Sequence, residues 1–200
     1  MAPRARRKRD EEVVAAAAKV FYERGYSGAT VQDIADELGI LKGSLYHYIK
    51  TKEDLLFRVF EQVHKEVEGI LEEVLAVEGL DPLERISLYV RRIVVHNLHD
   101  LQRISIYYHE LDRLGEDRRK AVIAWRRRHD HFLRDLIREA QEQGLADASV
   151  DAGLLANCVF ATVIWPYRWF HAGSADTPET IADTCTAFVS RGLIGGFFPS

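Results

Sequence analysis

The sequence predicts an all-α protein of about nine helices. Apolar residues recur at helical spacing in almost every long segment, and strand-like alternation is nearly absent. The 13 glycines and 5 prolines stand at segment ends rather than in runs. At 200 residues and 47% hydrophobic content, the chain can bury one compact core, or join a small domain to a larger one.

Taken in order, the first helix runs from about Asp10 to Arg24, with Val14, Ala17, Ala18 and Phe21 at helical spacing and Gly25 ending it. Thr30 caps the second, and Asp33 three residues on returns the capping-box bond. Ile34, Ala35 and Leu38 form its apolar stripe, and Gly39 supplies the left-handed residue that turns the chain. A third short helix starts near Leu41 and presents Lys42, Gly43, Ser44, Tyr46 and His47, while Leu45 and Ile49 face inward. Two short helices folded about one glycine, followed by basic and aromatic side chains, read as a helix-turn-helix directed at a DNA duplex. Gly43 lets backbone approach a groove wall. Thr51 caps a long helix from Lys52 to about Val77, striped by Leu55, Leu56, Val59, Val63, Val67, Ile70, Leu71 and Val74. Asp81-Pro82 opens the next helix, to about Leu98. Segments 100–114 and 116–143 follow, punctuated by Gly115 and Gly144. Ser149 or Asp151 starts a helix through Phe170 that kinks at Pro166, and Thr177-Pro178 starts the last, ending near Leu193.

Charge is unevenly divided. The net charge is -4, but residues 1–52 hold 10 Lys or Arg against 7 Asp or Glu, while the remainder holds 17 against 24. The basic end is therefore the end with the helix-turn-helix. Arg4, Arg6, Arg7, Lys8 and Arg9 read either as a solvated tail or as a flexible arm lying along phosphates, and the adjoining motif favours the arm. No stretch reads as a bilayer span: the most apolar, 150–170, contains Asp151, Asn157, Pro166 and Arg168. The basic N-terminus lacks the apolar run of a signal peptide. Cys158 and Cys185 are too few and too far apart for a disulfide framework or zinc finger. A cytoplasmic, nucleoid-associated protein of a bacterium is the expectation.

The stretch from Gly39 to Ile49, followed by Thr51-Lys52-Glu53-Asp54-Leu55-Leu56, closely resembles the DNA-binding head of TetR-family transcriptional regulators. Phe21-Tyr22-Glu23-Arg24-Gly25-Tyr26 and Thr30-Val31 with Ile34-Ala35 fit the same pattern. Ile49 departs from it, standing where such proteins commonly have Phe, and that bears on packing rather than on DNA binding. The resemblance implies a DNA-binding domain over 1–51 and a ligand-binding and dimerisation domain over 52–200. It implies that Thr30 and Lys52 bond phosphates from helix starts, that Lys42, Gly43 and Ser44 meet base edges, and that Tyr46 and His47 lie against sugar, phosphate or a thymine methyl. Tyr48 reads as a packing residue.

In the carboxyl-terminal part, Trp165, Arg168 and Trp169 fall at i, i+3 and i+4, so one helical face carries two indoles flanking a guanidinium. Two aromatics alone read as core, but a buried Arg needs an anion or several acceptors. The run from Trp165 through Phe170 and Gly173, then Thr177 to Gly192-Leu193, is similar to regulators of fatty-acid, phenylacetate or sterol breakdown that respond to coenzyme A thioesters. That likeness implies a large amphipathic effector, with Arg168 on a phosphate or thioester oxygen. His96, Asn97, Tyr107 and Tyr108 are further candidate pocket residues, each with core or surface packing as the bland alternative.

The histidines form no recognised metal set: His96 and His99 are three apart, and His129 and His131 cannot share a helical face. No metalloprotease helix, phosphate loop or nucleophile turn is present. No cofactor and no enzymatic activity are expected. A single recognition helix reads few base pairs, which calls for a twofold dimer; Leu154, Leu155, Val159, Val163, Ile181, Phe188, Val189, Leu193 and Ile194 of the last two helices read either as its interface or as the completion of the chain's own core. The expectation is thus a dimeric repressor on a palindromic operator of double-stranded DNA. An effector releases it, with the helix from Lys52 as lever. The alternatives are a regulator of the same family answering to another apolar molecule, an activator, a metal sensor, and a helical enzyme.

Overall fold

The structure is a computed structural model, described over residues 3–171 and 173–195, with side chains from residue 9 onward. Nine α-helices account for most of the described residues: α1 (Pro3–Gly28), α2 (Val31–Glu37), α3 (Lys42–Leu45), α4 (Lys52–Leu75), α5 (Pro82–His99), α6 (Leu101–His109), α7 (Glu116–Glu142), α8 (Ala152–Ile164) and α9 (Pro178–Ile194). Two 3₁₀ turns, Leu111–Arg113 and Trp165–Arg168, complete the list, and no strand occurs among these residues. No helix among them is long and apolar enough to cross a membrane.

The helices group into two compact units, Met1–Lys65 with Leu101–Ile123, and Glu66–Asp100 with Ala124–Ser200. In the first unit, Val13, Val14, Ala17 and Phe21 of α1 are buried, as are Ile34 and Ala35 of α2, Leu45 of α3, and Leu55, Leu56, Val59 and Phe60 of α4. The segment 101–123 belongs to this unit, with α6 packed along α1 and the Tyr107 ring 5.0 Å from that of Phe60. In the second unit the most extensive pairing is α5 with α9, and Val90, Ile93 and Val94 of α5 and Ile181, Ala182, Val189 and Leu193 of α9 are buried. The hydroxyls of Ser87 and Ser190 share a hydrogen bond of 2.9 Å along that seam.

Local chemistry sets most of the boundaries. Gly25 has φ 69°, which breaks the helical geometry of α1 where the apolar spacing ends. Asp81 caps α5 through a reciprocal box with Glu84, and Pro82 occupies the first turn. Of the two candidates for starting α8 it is Asp151 that caps, accepting from the amides of Gly153 and Leu154. Thr177 does the same for α9.

Two elements are shorter than their patterns suggest. The recognition helix, expected to reach Ile49, is a single α-turn from Lys42 to Leu45, continued by bonds of the i to i+3 kind from His47 to Ser44 and from Tyr48 to Leu45. Likewise α8 stops at Ile164 instead of kinking and running on to Phe170, and residues 165–168 form a 3₁₀ turn. Pro166 has no amide to give the Thr162 carbonyl, so a regular α-helix cannot continue there.

Candidate nucleic-acid interface

The head is built from Thr30 outward. Its Oγ1 accepts from the Asp33 amide at 3.1 Å, and the Asp33 carboxylate accepts from the Thr30 amide at 2.8 Å, so both ends of the capping box are closed. Arg24 of α1 pairs with Asp33 at 2.6 Å and Lys19 with Glu37 at 2.7 Å, tying α2 to α1 from both ends. The hydrogen bonds from the Thr30 hydroxyl and amide, aided by Arg24, hold the Asp33 carboxyl below the usual range. Thr30 itself stays exposed at the start of α2.

Gly39 has φ 63°, the left-handed turn that its position demands. Beyond it the side chains of α3 and its 3₁₀ continuation divide by register. Leu45 and Ile49 are buried, with Tyr48 half-buried, while Lys42, Gly43, Tyr46 and His47 are exposed and Ser44 partly so. A methyl placed on Gly43 would meet no atom of this chain within 4 Å, so the protein's own packing does not require glycine there. Lys42 takes part in no ion pair among the described residues. Arg58 of α4 holds the end of this segment, pairing with Asp10 at 3.3 Å and donating to the Tyr48 carbonyl at 3.4 Å. Arg6 and Arg7 lie outside the residues whose side chains are described.

Lys52 sits differently from a free phosphate ligand. Its ammonium donates to the carbonyls of Tyr26 at 2.7 Å and Ala29 at 2.9 Å and stands 4.3 Å from the centre of the Tyr26 ring. These bonds close the carbonyls left open where α1 ends, so Lys52 first of all staples α4 to α1. Next to it, Thr51 Oγ1 accepts from the Asp54 amide at 3.1 Å, and Asp54 accepts from the amides of Lys50 and Thr51, each at 2.8 Å. Arg118 of α7 then grips both acids at the start of α4, at 3.1 Å on Glu53 and in a shorter contact with Asp54. Burial opposes the charge on Asp54, but Arg118 and the two amides outweigh it and hold the carboxyl at about 2. The Gly115 amide donates to Glu53 at 3.1 Å, which anchors the same end of α7. Nothing in the sequence pattern announced this clamp, because its partners are more than 60 positions apart.

The candidate effector residues are divided between the units. Tyr107 and Tyr108 belong to the first; Tyr107 is buried, and the Tyr108 ring lies edge-on to it at 5.4 Å. His96, Asn97, Trp165, Arg168 and Trp169 belong to the second. There Asn97 is buried and donates to the Val163 carbonyl at 3.4 Å, while His96 Nε2 lies 3.0 Å from Glu66. Trp165 and Trp169 are 62% and 52% exposed, so this chain alone does not enclose them. In a 3₁₀ turn residues i and i+3 eclipse, which sets the Arg168 guanidinium 5.9 Å from the Trp165 ring and leaves Trp169 off that line. A polar pairing that no spacing in the sequence signals lies in the core of the same unit. There the Tyr89 hydroxyl and His129 Nδ1 are 3.0 Å apart, and beside them the exposed Arg128 pairs with Glu68 at 2.7 Å.

Two packed helices about a left-handed glycine, with Lys42 and Gly43 exposed and Ser44 partly so at the start of the second, and a further helical unit in the same chain define a helix-turn-helix transcriptional regulator. The comparisons make this specific. Residues 13–59 match the bacterial regulatory proteins of the tetR family, and residues 79–193 match the tetracyclin repressor-like C-terminal domain. The chain belongs to the TetR family and is a transcriptional repressor of that type, not an enzyme. It is 30% identical over 190 residues to the HTH-type transcriptional repressor KstR2 of Mycobacterium tuberculosis, covering 91% of each chain. The solved structure of that ketosteroid transcriptional regulator superposes with a TM-score of 0.86 at 26% identity, over 92% of this chain and 94% of the other. AibR, solved in complex with isovaleryl coenzyme A and operator DNA, gives a TM-score of 0.82 at 28% identity, over 90% of this chain and 97% of that one.

Proposed function

We propose that the protein is a homodimeric repressor that holds a palindromic operator and releases it on binding a coenzyme A thioester. The observation that carries the DNA half is the divided register of α3, where Leu45 is fully buried while Lys42, Gly43, Tyr46 and His47 stand in solvent. Lys42 and Ser44 meet base edges, Gly43 admits the backbone to the groove, and Thr30, Tyr46 and His47 position the head on the phosphate backbone. Lys52 acts mainly by fixing the start of α4, whose open amides offer a phosphate contact beside it. Arg6 and Arg7, which lie in the first turns of α1 and not on the flexible arm expected from the sequence, add phosphate contacts.

Dimerisation is supported by apolar residues that one chain leaves open on α8 and α9. Leu154 is 60%, Phe188 68% and Ile194 58% exposed. Covering them with the same surface of a second copy gives a four-helix interface. The thioester reading draws on the AibR complex with isovaleryl coenzyme A, on the steroid regulator relative, and on the Trp165–Arg168 pair. The guanidinium is suited to a phosphate or thioester oxygen, and the indoles of Trp165 and Trp169 to an acyl or ring-bearing chain. His96 and Asn97 contribute polar contacts from α5. Acyl-coenzyme A esters titrated into a protein–DNA complex test this reading. Release by thioesters is expected; release by free fatty acids or unrelated drugs, with thioesters inert, refutes it.

A further inference from the structure

Leu41 occupies an unusual place. It is the residue that precedes α3, with φ -70° and ψ 142°, and no side-chain bond caps the helix there. Such a position favours Ser, Thr, Asp or Asn, and leucine is among the poorest choices for it. Nor does Leu41 serve the core: at 80% it is the most exposed large apolar side chain among the described residues, while Leu45 one turn on is completely buried. An isolated exposed leucine on a surface needs no explanation. This one displaces a capping residue at the leading end of the helix that carries Lys42 and Gly43.

We propose that Leu41 reads the 5-methyl group of a thymine in the major groove of each operator half-site. The inference rests on α3 being the recognition element. The first residues of such a helix are those that reach base edges. On those edges the thymine methyl is the apolar feature, and apolar side chains pair with it. Lys42, next in sequence, has the complementary chemistry for guanine acceptors, so adjacent residues divide the groove between an apolar and a cationic reader. Burying one methyl group is worth about fourfold in affinity, equivalent to ~0.8 kcal/mol at 1.4 kcal/mol per tenfold.

The full-length protein and its Leu41→Ser variant are each selected against a random duplex library. The best wild-type site is then remade with deoxyuridine at single thymine positions, which removes only the methyl. Wild type is expected to enrich a thymine at one fixed position per half-site and to lose about fourfold when that position is demethylated. Leu41→Ser should lose the preference there, keep the rest of the motif, and ignore the demethylation. Its thermal midpoint should be equal or higher, since serine restores a cap. Identical motifs and identical responses to deoxyuridine overturn the proposal. A lowered midpoint, or a change confined to self-association, also overturns it by assigning Leu41 to packing. If neither protein enriches any sequence, it is the DNA-binding reading of α3 that fails, and the Leu41 assignment falls with it.

Discussion

Replacing Asp54 with alanine removes the centre of the clamp at the start of α4. The carboxylate accepts from the amides of Lys50 and Thr51 at 2.8 Å and pairs with Arg118. Loss of a capping acceptor typically costs about 1 kcal/mol. The lost ion pair adds no more than about another 1 kcal/mol, because Glu53 still holds Arg118 at 3.1 Å and the pair is partly solvated. The depression of the Asp54 carboxyl from 3.8 to about 2 sets a ceiling slightly above this, before screening by solvent is discounted. The expected destabilisation is therefore about 2 kcal/mol at pH 7, or roughly 4–8 °C in midpoint for a chain of this length. The sign with pH follows from a folded-state pKa lying below the unfolded one. Stabilisation is complete above pH 4 and disappears as pH falls from 4 through 2. Urea unfolding of wild type and Asp54→Ala at a series of pH values measures the gap. A gap below 0.5 kcal/mol at pH 7 (against the ~2 expected), or one that does not narrow below pH 4, refutes the account of the clamp.

Two further outcomes concern the interfaces. Lys42→Ala should weaken binding to a selected duplex by tenfold or more, about 1.4 kcal/mol. It should also lower the salt slope by about 1 for each lysine removed, and unchanged affinity across several salt concentrations would exclude the role. Phe188→Glu places a charge on the exposed face of α9 and should convert a dimer to a monomer at micromolar concentration, with a thermal midpoint that no longer rises with protein concentration. Sedimentation of the wild type as a monomer would remove the interface altogether.

Features whose causes lie within a few residues were legible in the sequence. The Thr30–Asp33 box, Gly39 at φ 63°, Thr51 ahead of α4, and the Asp81-Pro82 and Thr177-Pro178 starts all rest on bonds within one turn, and all occur as their patterns require. Ends were less legible where tertiary packing competes with local preference. Leu45 and Ile49 are both spaced for burial and both buried, yet the backbone joining them tightens to i to i+3 bonds after one α-turn. Side-chain partners far apart in sequence were not legible at all. Lys52 looks like a free cation until its bonds to Tyr26 and Ala29 are seen. No spacing singles out Arg118 as the partner of Asp54, and His129 stands as a scattered histidine until Tyr89 is found against it. The exposure of Trp165 and Trp169 is of the same kind, since helical spacing states which residues share a face and not what covers it.

The central claim is a coupling between effector and operator, and coupling is reciprocal. Calorimetric titration of a coenzyme A thioester into the free protein, and into the protein saturated with a selected operator duplex, measures it directly. The thioester should bind the free protein more tightly, by the same factor by which it weakens DNA binding, on the order of 5- to 150-fold. Equal thioester affinities in the two titrations would contradict an effector-released repressor, however tightly each partner binds alone.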